Sequence, residues 1–362
     1  MTDAYIIYSL LLVLMMISTW VYSNTPKEYR PMILCIALLV YSVVLGLRYN
    51  VGVDYLNYQY IYTHQDFSEV ESGYALINRV LFNLGFSFPS IFIVVAFFQI
   101  FFFIKGVESI SPKYLPLAIF FYFTTLYLFL SLNVLRQTLT FSIFVFSIRY
   151  ISNRQFVKYA ITILLASTIH KSALVLFPFY FLLTSDWLLR RRLLQIVGYI
   201  VTFVLSITLS DYIWSNFEVL ARMSGYADYA DSINTISKIR WADEDGIGMY
   251  LWMFVDLMVM IFYTKLHKLG LSKNEVVCYN LYYIGLLLTN IIAGTYFDRV
   301  NIYFQNFRII IYAVFFYNIL CRRSKIGYKV VAVAVIMVLV VFFYMGIFNK
   351  ASMCAPYQFV SF

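Results

Sequence analysis

Two ionisable side chains sit side by side in a run that is otherwise apolar: ASTIHKSALVLFP, Ala166–Pro178, carries His170 and Lys171 at its middle. An imidazole with an ordinary pKa near ~6.5 can take a proton from a hydroxyl at neutral pH, so His170 is a candidate general base. The competing reading is a histidine that satisfies helix ends by hydrogen bonding. Lys171 fits added positive potential, or a chain that snorkels, better than a base. A second stretch, SLNVLRQTLTF (Ser131–Phe141), sets Arg136 between two apolar segments, and Arg48 and Arg299 are also isolated from the basic clusters of the chain. Guanidinium forks grip oxyanions bidentately and stay charged at any physiological pH, so three such arginines suit a phosphate or pyrophosphate. The bland alternative for Arg136 is a side chain that snorkels to an interface.

What must position these groups follows from composition. Of the 362 residues 62% are hydrophobic and only 12% charged, and mean hydropathy is +0.78, far from the soluble norm of roughly half apolar and a quarter charged. The expected class is an all-α, polytopic integral membrane protein. The 33 Tyr and 35 Phe suit helix packing and headgroup belts, or sugar faces where they line a cleft. The net charge of +9 comes from short basic clusters between apolar stretches, which is a topology signal; no continuous basic groove with stacking aromatics supports nucleic-acid binding. Cys35, Cys278, Cys321 and Cys354 show no paired spacing, so neither a zinc site nor a disulfide framework is expected. The first apolar segment lacks a basic n-region and a cleavage site and reads as a retained span.

A crossing helix needs ~20 apolar residues. Candidates are Ala4–Tyr22, Pro31–Leu47, Pro89–Ile104, Leu115–Ser131, Asn133–Ile151, Leu193–Ser210, Gly248–Lys265, Glu275–Gly294, Asn301–Leu320 and Tyr328–Phe348. Phe156–Leu183 is long for one crossing and short for two. One arrangement puts every basic cluster on the cytoplasmic side, as the charge rule asks: both termini outside, and Phe156–Leu183 as two short arms entering and leaving from the cytoplasm, with His170 and Lys171 at their outer turn. Tyr74–Phe86 is then a re-entrant or interfacial helix on the outer side, and about 12 transmembrane helices remain. The polar stretches Arg48–Ser72, Asn133–Gln137, Ile169–Lys171, Asp211–Asp245 and Tyr296–Arg299 all fall on the outer face. With no internal repeat and no Gly/Ser linker, a single membrane domain over residues 1–362 is expected, with outer-face loops near 48–73 and 211–247.

At membrane depth an ionisable residue is costly and by default a functional hypothesis. A chain that obeys the charge rule elsewhere has little use for isolated outer-face arginines, which favours the anion-binding reading of Arg48, Arg136 and Arg299. In RYNVGVDYLNYQYIY, Arg48–Tyr62, Asp54 lies among tyrosines that include Tyr55 and Tyr58; such sets hold sugars, and equally form an aromatic belt. The acidic run ADEDG, Ala242–Gly246, reads as a solvated turn, and no metal is expected. Gly-rich phosphate loops, HExxH, GxSxG and kinase signatures are absent.

Taken in order, RYNVGVDYLNYQYIY, ESGYALINRVL (Glu71–Leu81), LNVLRQTLTFSIFVFSIRYI (Leu132–Ile151), STIHKSALVLFPFYFL (Ser167–Leu182) and FDRVNIYF (Phe297–Phe304) resemble the EpsG-like branch of Wzy-type polysaccharide repeat-unit polymerases, over roughly Arg48 to Leu320. The resemblance implies a glycosyltransferase of a bacterial inner or plasma membrane, its active site facing the periplasm or exterior. Such an enzyme transfers a growing glycan from undecaprenyl pyrophosphate onto the terminal sugar of a flipped, lipid-linked repeat unit, with no cofactor, in company with membrane lipid and a chain-length-regulating co-polymerase. Carried onto matching positions it gives His170 as base, with Arg136 and Arg299 stabilising the pyrophosphate leaving group and Asp298 orienting Arg299. Arg48, Asp54, Tyr55, Tyr58, Glu71, Tyr74, Asn133, Gln137 and Lys171 make up the substrate-binding set. Two relatives in chemistry compete: an O-antigen-type ligase, which usually has a larger outer domain than Asp211–Gly246 provides, and a flippase for the same lipid-linked units, which should show two related halves.

Overall fold

The structure is a computed structural model that describes residues 2–208, 247–267, 270–292, 298–321 and 325–360. It is all-helical, about 80% helix, with no strand among the described residues. In lipid every backbone N–H and C=O needs an internal partner, and a helix supplies one within its own segment. In chain order the helices are α1 (Thr2–Asn24), α2 (Arg30–Gly46), α3 (Tyr55–His64), α4 (Ser72–Asn83), α5 (Pro89–Ile110), α6 (Leu115–Thr124), α7 (Tyr127–Ser131), α8 (Leu135–Ser152), α9 (Phe156–Ile169), α10 (Phe179–Leu182), α11 (Arg192–Thr208), α12 (Ile247–His267), α13 (Lys273–Ile292), α14 (Asp298–Gln305), α15 (Phe307–Cys321) and α16 (Ile326–Phe348).

Among the described residues, five stretches are by length and composition long and apolar enough to cross a membrane: Thr2–Asn24, Pro89–Ile110, Lys273–Ile292, Arg299–Cys321 and Ile326–Phe348. Of the other segments expected to cross, α2 and α11 are shorter, at 17 residues each, and α8 carries Arg136 and Arg149 within its 18 residues. Leu115–Ser131 divides into α6 and α7 because Leu126 takes φ 61°, a left-handed conformation that a branched residue rarely adopts and a helix does not continue through.

The chain divides into two compact units, Met1–Leu182 with Tyr312–Phe362, and Leu183–Ile311. In the first, α5 packs between α2 and α8, α8 against α9, and α1 against α2 and α6. Two of the basic clusters that the charge rule assigns to one face meet here on a single acid: Arg30 Nη1 lies 3.3 Å from Glu108 Oε1, and Lys105 pairs with the other oxygen. In the second unit α11 packs against α12 and α13, and α13 against α14. Its interior is polar as well as aromatic. Buried Gln195 accepts the Tyr279 hydroxyl and, through its carbonyl, the Tyr283 hydroxyl at 3.0 Å.

Phe156–Leu183 folds as two short arms. Helix α9 stops at His170, whose backbone is extended (φ −153°, ψ 115°), and the chain returns through a 3₁₀ segment, Lys171–Leu176, into α10. The Tyr159 hydroxyl donates to the Leu176 carbonyl at 2.6 Å, and Phe156 meets Tyr180 and Phe181 across the hairpin. His170 therefore stands at the break between the arms, as the sequence suggests.

Candidate active site

Three of the five polar stretches meet in the first unit, and the residue they meet on is Glu71. Its Oε1 lies 3.0 Å from His170 Nδ1 and accepts the Lys171 main-chain N–H, also at 3.0 Å. Its Oε2 pairs with Arg136 Nη1 at 2.5 Å. The Glu71 side chain is only 9% exposed. Burial by itself would raise its pKa, but the His170 and Lys171 hydrogen bonds and the Arg136 charge outweigh it and hold the carboxyl at about 2, against an ordinary 4.5. Glu71 is thus ionised at any physiological pH.

Each partner is delivered by a different element. Glu71 is the residue before α4, with extended backbone and no cap bond to its own helix. Arg136 lies in the first turn of α8, and His170 ends α9. Gly73 lets α4 approach the end of α9: a Cβ there would fall 2.8 Å from the Thr168 carbonyl oxygen. Aromatic rings close the other side, with Arg136 above the Tyr74 ring at 5.8 Å and Tyr58 edge-on to Tyr74 at 6.1 Å. Tyr74 is wholly buried, close to the Asn78 side chain.

Below this cluster the entry loop is tied down by Arg48 and Asn133. Arg48, 1% exposed, donates to the carbonyls of Val51 (3.1 Å), Leu45 (2.7 Å) and Leu132 (3.0 Å) and lies 3.9 Å over the Phe92 ring. Asn133 accepts the Val53 and Asp54 N–H groups through Oδ1 and donates to the carbonyls of Phe129 and Ser352. The C-terminal segment joins the same knot: Tyr49 N donates to Gln358 O, Val360 N to Leu47 O and Gly52 N to Met353 O. Gly52 sits at φ +105°, 2.9 Å from the Leu132 carbonyl for any added Cβ, so no other residue fits there without strain. Through these bonds to backbone carbonyls, Arg48 and Asn133 hold the loop that leads to α3, α4 and Glu71. Asp54 stands at the start of α3, half-buried, and Tyr55 is buried beside Phe88 and Phe92. Gln137 is buried in α8, one residue beyond Arg136, and Lys171 is exposed.

The remaining sequence-derived residues lie in the second unit. Arg299 is exposed in the first turn of α14, next to Asp298. The stretch Asp211–Asp245 and ADEDG lie outside the described residues. This unit also holds a charge pair that the sequence reading passes over. Asp256, fully buried in α12, accepts Arg308 Nη2 of α15 at 2.7 Å and the Tyr282 hydroxyl of α13 at 2.7 Å, with the Trp252 ring 5.2 Å from the guanidinium. The available signal was an aspartate inside the apolar run YLWMFVDLMVMIF, an expensive residue unless a partner meets it.

An ionised carboxylate that receives an imidazole, a guanidinium and a backbone amide brings a proton acceptor and an anion-binding fork together. That combination suits transfer of a group from an anionic leaving group to a hydroxyl. No match is found among curated proteins or solved structures. The model of the EpsG family matches residues 32–359, a range that includes Glu71, Arg136, His170 and the segments that carry them. The chain belongs to the EpsG family, the family of Wzy-type polysaccharide polymerases.

Proposed function

We propose that this protein polymerises undecaprenyl-pyrophosphate-linked oligosaccharide repeat units on the outer face of a bacterial plasma membrane. The observation that carries the proposal is the meeting of His170 and Arg136 on one part-buried carboxylate in a chain of this family. In the reaction the acceptor hydroxyl oxygen attacks the anomeric carbon of the donor glycan, and its proton passes to His170. The bond from that carbon to the phosphate oxygen breaks, and its electron pair leaves on the pyrophosphate. Arg136, whose fork carries further N–H donors besides the one given to Glu71, stabilises that charge where preorganised dipoles contribute most. Asp54, Tyr55 and Tyr58 serve the sugars. Metal is not required by these steps, and a chain-length-regulating partner fits the product.

Deletion of the chain from its host, with lipid-linked glycan read by gel and mass spectrometry, tests the reading. Accumulation of single repeat units at the outer leaflet is the expected result. Full-length polymer still on the carrier would indicate a ligase, and units trapped on the inner leaflet a flippase.

A further inference from the structure

Resting on the reading of His170 as the base, we propose that Glu71 is a positioning residue: it fixes the tautomer of His170 and, through its second oxygen, the place of Arg136 relative to that ring. An ionised carboxylate only accepts hydrogen bonds. The ring nitrogen 3.0 Å from Oε1 is Nδ1, so Nδ1 carries a hydrogen, and in the neutral ring the lone pair lies on Nε2. The nitrogen that must take a proton is then the one turned away from the carboxylate. This is the role played by the buried aspartate behind a catalytic histidine in serine proteases, where the wrong tautomer is severely damaging.

Three features of the structure direct Glu71 to this role. Its side chain is withheld from capping α4, although it stands at the N-cap of that helix. The main-chain N–H of Lys171 binds the same oxygen as the imidazole, so the turn after His170 holds that oxygen in register with the ring. The close approach of Gly73 to Thr168 holds α4 against the end of α9. One carboxylate thereby sets both the hydrogen on the base and the spacing between base and guanidinium.

The test is nitrogen NMR of the full-length protein in lipid nanodiscs, labelled with ¹⁵N at histidine. The chain has 3 histidines, so the His170 signals are assigned by their loss in His170→Ala. In its neutral form the wild-type ring should show a protonated Nδ1 and an unprotonated Nε2. Glu71→Ala should shift the ring toward the Nε2–H form, whereas Glu71→Gln, whose amide oxygen can still accept, should keep more of the Nδ1–H form. A wild-type ring already in the Nε2–H form, or a ring unchanged in folded Glu71→Ala, would overturn the proposal. The wild-type spectrum alone decides if Glu71→Ala does not fold. The spectrum reports the tautomer whatever the substrate is, so its failure is separate from a failure of the polymerase assay.

Discussion

At the scale of single residues, the charge on Glu71 decides how the cluster responds to pH and to substitution. Its pKa is lowered from 4.5 to about 2 by its three partners, so the stability it contributes is complete above about 4.5 and is lost as pH falls through about 2. The difference in thermal stability between wild type and Glu71→Gln should therefore close as pH falls below about 4.5. Circular dichroism melts in detergent across that range measure this. Arg136→Lys keeps the charge but loses the planar fork, and chain elongation should fall sharply while protein level holds; normal elongation would remove the guanidinium from the account. His170 and Arg136 are legible in the sequence because an ionisable side chain in an apolar run stands out. The role of Glu71 is not legible. Its partners lie 65 and 99 residues away, and no local period or spacing encodes a pairing of that range.

Between elements, the same separation of legible from hidden holds. The break at His170 is visible from the length of Phe156–Leu183, too long for one crossing and too short for two. What seats α4 on α9 is a missing side chain, that of Gly73, which has no signature until the neighbour is known. Gly73→Ala should push α4 from Thr168 and separate Glu71 from His170, lowering activity. Thr168→Ala in the same chain should restore part of it, since the hydroxyl is removed but the carbonyl contact at 2.8 Å stays. Arg48 shows the opposite case, a visible outlier with a structural use: it ties α2, the entry loop and the Leu132 turn together through three carbonyls. In the second unit, Asp256→Ala leaves Arg308 without its carboxylate partner and should cost about 3–5 kcal/mol, while Asp256→Ala with Arg308→Met recovers much of that, because a buried pair replaced together is far less damaging than one broken. Denaturant melts of the purified variants distinguish the two.

For the whole molecule, composition points to the all-helical class; within the first unit Arg30 and Lys105 meet on Glu108, and Glu71, Arg136 and His170 meet one another. The number of crossings is harder to read, because hydropathy does not register a left-handed residue such as Leu126 or a helix cut short at a turn. The central claim is that His170, held by Glu71 beside Arg136, is the base of a polymerase. The most direct measurement is the length distribution of lipid-linked and surface glycan in a deletion strain complemented with His170→Ala, with membrane-folded protein quantified in the same cells. Normal protein with elongation reduced by about 10²–10⁴-fold, leaving single repeat units, is the predicted result. A normal ladder of chain lengths from a protein without that imidazole would contradict it.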